Sequence, residues 1–144
     1  MYRYLLDTNL CIHIAKCRPP EVLARFESLV VGDVAMSLIT YGELLYGAAR
    51  SSAPHQAIAT IDRLTDAVPV LPMEANVGPH YGAIRAHLTL AGTPVGNDDL
   101  WIAAQARAMG LTLVTSNEAE FRRIPDLRVE NWVAPPRACE SGLE

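Results

Sequence analysis

The chain has 144 residues, 50% hydrophobic and 19% charged, and its twelve basic and sixteen acidic residues give a formal net charge of −4. That length is one domain with core enough to need no staples, and the apolar content excludes a disordered chain. Ten scattered prolines and nine glycines exclude a coiled coil, no apolar run approaches the ~20 residues of a membrane span, and the acidity argues against a sequence-independent binder of DNA.

The elements follow from pattern and punctuation. Residues 3–6 form an apolar run ending at Asp7, and Thr8 or Asn9 is placed to cap a helix over about 10–16. Pro19-Pro20 opens a second helix with Leu23, Phe26, Leu29 and Val30 on its apolar stripe. Asp33 to Ser37 reads as a strand, and Thr40 with Glu43 has the spacing of a capping box for the next helix. Pro54 opens a helix facing inward with Ile58, Ile61, Leu64 and Val68. Pro69 to Pro72 frames a short strand or extended link, and a helix over about 74–90 is broken or delayed near Gly78-Pro79.

Ala91 to Asn97 is a run of turn formers, after which Asn97 caps a helix that Gly110 ends. Leu111 to Thr115 is the clearest strand, Ser116-Asn117 caps a helical turn, and Arg128 to Val133 reads as the last strand. The domain therefore spans 1–133, with a loose polar tail over 134–144. Helices alternating with short apolar strands give an α/β fold, a parallel sheet covered on both faces, whose site lies beyond the carboxyl ends of the strands. Asp7 and the Thr115-Ser116-Asn117 cluster stand at two such ends. Cys11, Cys17 and Cys139 are odd in number and lack a CxxC pair, as in a reduced, cytoplasmic protein without a zinc site; the early Asp7 leaves no signal-peptide apolar stretch.

Four acidic places invite chemistry: Asp7, Glu43, Asp98-Asp99, and Ser116-Asn117 with Glu118 and Glu120. Each alone can be a cap or a first-turn acid. Together they are oxygen donors that repel one another, and a hard cation, Mg²⁺ or Mn²⁺, is what neutralises such a set. Such an ion activates water for phosphodiester cleavage. No phosphate-cradling glycine loop and no GxSxG elbow is present, and a phosphatase or receiver that uses an aspartate nucleophile lacks its lysine, because the only lysine is Lys16. His13 lies near Asp7 and reads as a packing or surface residue.

The segments Leu5-Leu-Asp7-Thr-Asn9, Ser37-Leu-Ile-Thr40-Tyr-Gly-Glu43, Gly92-Thr-Pro-Val-Gly96-Asn-Asp-Asp99-Leu-Trp-Ile102-Ala-Ala and Leu113-Val-Thr-Ser-Asn117 resemble the PIN-domain ribonucleases, specifically the VapC toxins of toxin–antitoxin modules. The resemblance covers about residues 2–133 and implies a three-layer α/β/α fold with a short parallel sheet. It implies Asp7, Glu43 and Asp99 as catalytic, metal-holding carboxylates, with Thr8, Asn9, Thr115, Ser116 and Asn117 orienting ligands or water. The family's fourth acidic position falls on Asn117, so Glu120 is expected to contribute through water, while Asp98 reads as helix N-terminal charge. Arg85, Arg122 and Arg123 are candidates for flanking phosphates, and Leu38, Leu44, Leu45 and Tyr46 for a partner surface. The resemblance further implies Mg²⁺- or Mn²⁺-dependent endoribonuclease activity on structured RNA, a tRNA anticodon region and initiator tRNA among the expectations. It also implies a cognate VapB antitoxin and a homodimer. A non-catalytic PIN-like binding module and a small metal-dependent phosphatase stand as alternatives.

Overall fold

Five short parallel strands form the centre of the computed structural model, which describes residues 2–17 and 19–133. The expected tail, with Cys139, lies outside the described residues. In chain order the elements are β1 (Tyr4–Leu6), α1 (Thr8–Ala15), α2 (Pro20–Glu27), β2 (Val34–Ser37), α3 (Leu38–Arg50), α4 (Pro54–Ala67), β3 (Val70–Leu71), α5 (Val77–Ala91), α6 (Asn97–Met109), β4 (Thr112–Val114), α7 (Glu118–Phe121) and β5 (Val129–Glu130). The sheet order is β3-β2-β1-β4-β5. The chain winds outward from β1 through β2 and β3, then returns to add β4 and β5 on the other side. The strand order therefore reverses at β1 and β4, the place where open parallel sheets form their crevice.

Alternation across the pleat divides the core in two. Tyr4, Leu6, Val34 and Met36 pack with buried residues of α1 to α4. Leu5, Ala35 and Leu113 point the other way, against Ile84 and Leu88 of α5 and Ile102, Ala103 and Ala106 of α6. The small residues of α6 let it lie close over the central strands. Left-handed glycines end both helices of this layer, Gly92 at φ 73° and Gly110 at φ 69°.

Several local expectations shift by a residue or two. Asp7, not Thr8 or Asn9, caps α1, its Oδ1 accepting from the Leu10 N–H at 2.9 Å. Ser37, not Thr40, caps α3 through the Ile39 N–H at 3.1 Å, because the helix starts where β2 stops. Gly96 caps α6 without a side chain, and Oδ1 of the Asn97 side chain is occupied by the Tyr81 hydroxyl. α5 is delayed to Val77 and runs unbroken through Pro79, whose missing N–H falls among first-turn groups that have no intrahelical partner. α2 ends at Glu27 with Val22 as its buried residue, so the expected stripe loses Leu29 and Val30, the latter 69% exposed, and in α4 Ile58 turns outward beside buried Ile61 and Leu64.

Leu113 is fully buried in β4, next to the central strand. Leu113→Ala is expected to lower unfolding free energy by about 2–5 kcal/mol, read as a lower urea midpoint at unchanged slope.

Candidate active site

Asp7 leaves the end of β1 with its backbone N–H bonded to the Val114 carbonyl of β4 at 3.0 Å, which pins it over the point where the strand order reverses. It is one of few buried polar residues, 4% exposed. Burial pushes its carboxyl above the ordinary value, partly offset by hydrogen bonding from Thr115 and from the Leu10 N–H, and by the nearby His13.

Glu43 reaches the same place from the second turn of α3. The Thr8 hydroxyl donates to its Oε1 and lies 3.2 Å from the Thr40 hydroxyl, so Thr8, Thr40 and Glu43 tie α1 to α3. This tie is what the Thr40–Glu43 spacing serves, not a capping box. Burial raises the Glu43 pKa, the Thr8 bond lowers it, and the Asp98 carboxyl, within hydrogen-bonding reach, raises it again together with Asp99.

Asp99 comes from the first turn of α6, with Leu100 and Ile102 anchoring that turn in the core. Burial first, then the charges of Glu120, Asp7 and Asp98, push its pKa up to about 6. Five carboxylates from four segments thus gather around Asp99, which feels Asp7, Asp98 and Glu120 and in turn acts with Asp98 on Glu43. Asp98 is the member the sequence reading set aside as helix-end charge. Its contact with Glu43 crosses between α6 and α3, which no spacing along the chain reveals.

The polar residues after β4 organise one flank. The buried Thr115 hydroxyl accepts from the Asn117 N–H at 2.9 Å, and the Asn117 amide donates to Glu120 at 3.0 Å. The amide at the expected fourth acidic position therefore holds an acid instead of supplying one. Asn9 and Ser116 are exposed and make no side-chain hydrogen bond among the described residues. Glu118 turns away to Arg122, at 2.8 Å, and to Asn131. That ion pair occupies Arg122 as well, whereas Arg85 and Arg123 have no acidic partner among the described residues.

Among the described residues no three His, Cys, Asp or Glu side chains already stand in a closed metal-ligating group. The donor chemistry nevertheless fits a hard divalent cation. The set is all oxygen, three members are pushed toward their protonated forms by burial and by one another, and a carboxyl beside a carboxyl needs either a proton or a cation between them.

The expected partner face on α3 is split. Leu44 is core at 8% exposure, while Leu38 (47%) and Tyr46 (64%) stay outside and, with Glu43 and Asp98, line an open hollow of about 480 Å³. A second, mostly apolar hollow of about 520 Å³ lies between α1, α3 and α4, with Lys16 and Glu43 among its lining residues.

The family described as the PIN domain matches residues 4–127. The chain is 42% identical over 133 residues to Ribonuclease VapC2 of Haemophilus influenzae, covering 92% of this chain and 100% of that protein. It is 42% identical over 132 residues to the tRNA(fMet)-specific endonuclease VapC of Shigella flexneri, covering 92% and 99%. Among solved structures it is similar to a chain of DNA-bound VapBC from Salmonella typhimurium, with a TM-score of 0.87, 40% identity and coverage of 92% and 100%. It is also similar to a chain of VapBC2 from Rickettsia felis bound to a promoter DNA fragment, with a TM-score of 0.86, 35% identity and the same coverage.

A carboxyl whose pKa is raised on folding stabilises the fold while protonated, and that stability is lost as pH rises through its folded pKa. For Asp99 the window runs from about 4 to about 6. Cation-free Asp99→Asn is expected to melt a few degrees above the parent at pH 7.5 and level with it at pH 4. Added Mn²⁺ should raise the parent's melting temperature more than the variant's.

Proposed function

Because the chain belongs to the PIN-domain family, and within it to the VapC ribonucleases, we propose that it is a metal-dependent endoribonuclease, the toxin of a VapBC pair. The observation that carries this reading is the convergence of Asp7, Glu43 and Asp99 at the strand ends, each with a raised pKa. These three would hold Mg²⁺ or Mn²⁺, with Asp98 against Glu43 and Glu120 beside Asp99. Bound there, the cation supplies Lewis acidity that activates water and stabilises the departing oxygen of a phosphodiester.

The chain's own residues orient the carboxylates. Thr8 fixes one oxygen of Glu43, Leu10 N–H fixes one oxygen of Asp7, and Asn117 steadies Glu120. In this reading water serves as the nucleophile, and the Thr8 hydroxyl among these contacts is engaged by Glu43. The site is open on the side of Tyr46 and Asp98, as a strand passing across it requires.

The substrate class is structured RNA with unpaired bases. The name of the Shigella relative specifies tRNA(fMet), and a tRNA, initiator tRNA first, is the substrate we propose here. The related structures are VapBC complexes, so the partner is a VapB antitoxin. An apolar antitoxin segment suits the hollow between α1, α3 and α4, which ends at Glu43. No helix among the described residues is long and apolar enough to cross a membrane. A homodimer acting on RNA in the cytoplasm completes the reading.

Incubation of the antitoxin-free chain with total tRNA and Mg²⁺ or Mn²⁺ is expected to give discrete fragments, abolished by EDTA and reduced at least about 100-fold by Asp7→Asn or Asp99→Asn. Intact RNA from folded protein under every metal condition would replace this reading with a non-catalytic binding module. Thr8→Val removes the donor that lowers the Glu43 pKa, so the acid limb of the pH–rate profile should move to higher pH. An unmoved limb would separate Glu43 from the reaction.

A further inference from the structure

Beside the carboxylates, α5 and α6 carry a stripe of side chains that the chemistry above does not use. The rings of Tyr81 and Trp101 stack with centroids 3.8 Å apart and planes 15° from parallel. The Tyr81 hydroxyl accepts from Arg85 at 2.8 Å and donates to Oδ1 of the Asn97 side chain. Arg85 also lies 5.9 Å from the Tyr81 ring centroid. Both rings are half-buried, and Arg85 and Asn97 are exposed. Arg85 and Asn97 line a hollow of about 270 Å³, closed by Thr89 and Pro94.

Helix geometry joins the stripe to the site. Asn97 and Asp98 precede Trp101 by four and three residues, so all three share one side of α6. Asp98 in turn meets Glu43.

Tyr81 and Trp101 pack against the core layer of α5 and α6 on their inner side, and their outer rim carries the exposed Arg85 guanidinium. Arg85 has no acidic partner among the described residues, although its hydrogen-bond chain through Tyr81 ends on Asn97, the residue before Asp98 and Asp99. A guanidinium left without an anion beside an acidic site fits a ligand that brings its own anions. Flat rings fit a ligand that also brings planar faces. A single-stranded nucleic acid brings both, phosphate and base in alternation.

We infer that this stripe is the track along which single-stranded RNA enters the site, Arg85 holding a phosphate next to the scissile one and a nucleobase stacking on the Tyr81–Trp101 pair. The inference rests on the ribonuclease reading for the identity of the strand. Stacking on rings is tolerant of sequence, so the track supplies affinity and register while base choice is made elsewhere.

The test uses the chain in EDTA at low salt with a single-stranded RNA decamer, so that binding is read without cleavage. The chain has two tryptophans, and Trp132 is 5% exposed and edge-on to Tyr4, so quenching by the RNA reports Trp101. Saturable quenching is expected, absent with an abasic strand of equal length and absent in Trp101→Leu. By anisotropy of a labelled decamer, Tyr81→Leu and Arg85→Ala should each bind about tenfold more weakly. In cleavage assays they should raise KM with kcat within about twofold. Unchanged RNA affinity in Arg85→Ala, an exposed position whose variant keeps the fold, overturns the track. So does a change in sedimentation mass without a change in RNA affinity, which would make the stripe a protein-facing surface. Quenching without cleavage in Mg²⁺ sinks the ribonuclease reading alone, and cleavage without quenching sinks the track alone.

Discussion

Mutual repulsion among the carboxylates at the strand ends sets the terms for everything around them. Asp7, Glu43, Asp98, Asp99 and Glu120 come from four segments and would move apart if their backbones were free. They are not free, because each is anchored by neighbours in one of the two cores. Leu6 and Leu10 flank Asp7, Leu44 follows Glu43, and Leu100 and Ile102 flank Asp99. The hydrophobic layers therefore hold charge together against its own field. Hydrogen bonds from Thr8, Thr115 and the Leu10 N–H return part of the loss. What is not returned appears as raised pKa values.

The sheet order explains why such short strands suffice. With β1 in the middle and the chain reversing there, Asp7 at the end of β1 and Thr115 at the end of β4 are neighbours in register. The helices that follow β2 and precede β4 bring Glu43 and Asp99 over the same point. Three residues of β1 paired on both sides are enough, because α1 to α4 cover one face and α5 to α7 the other.

Much of this was legible along the chain, and the misses share a cause. Proline and glycine punctuation located α2, α4 and the ends of α5 and α6, since those residues act through their own backbone. Caps were displaced because several side chains at each boundary can accept an N–H, and the choice is made by distant partners. Thr40 is drawn to Thr8, 32 residues away, and Asn97 to Tyr81, 16 away, leaving Ser37 and Gly96 at the caps. Asp7, Glu43 and Asp99 were legible through chemistry and the family resemblance together. Asp98 was not, because its value lies in facing Glu43 across α3 and α6. The redirected Arg122 was missed although Glu118 stands one helical turn before it, a spacing that by itself signals an ion pair.

The capping bond of Asp7 ties helix initiation to the construction of the site. One carboxylate oxygen must turn inward to Leu10 before α1 has a satisfied first turn, and that rotation fixes the carboxyl beside Thr115 at the end of β4. Opening of the first turn of α1 therefore releases Asp7 from its fixed orientation while the carboxylates of α3, α6 and α7 keep theirs, and hydrogen exchange at Leu10 would clock that release.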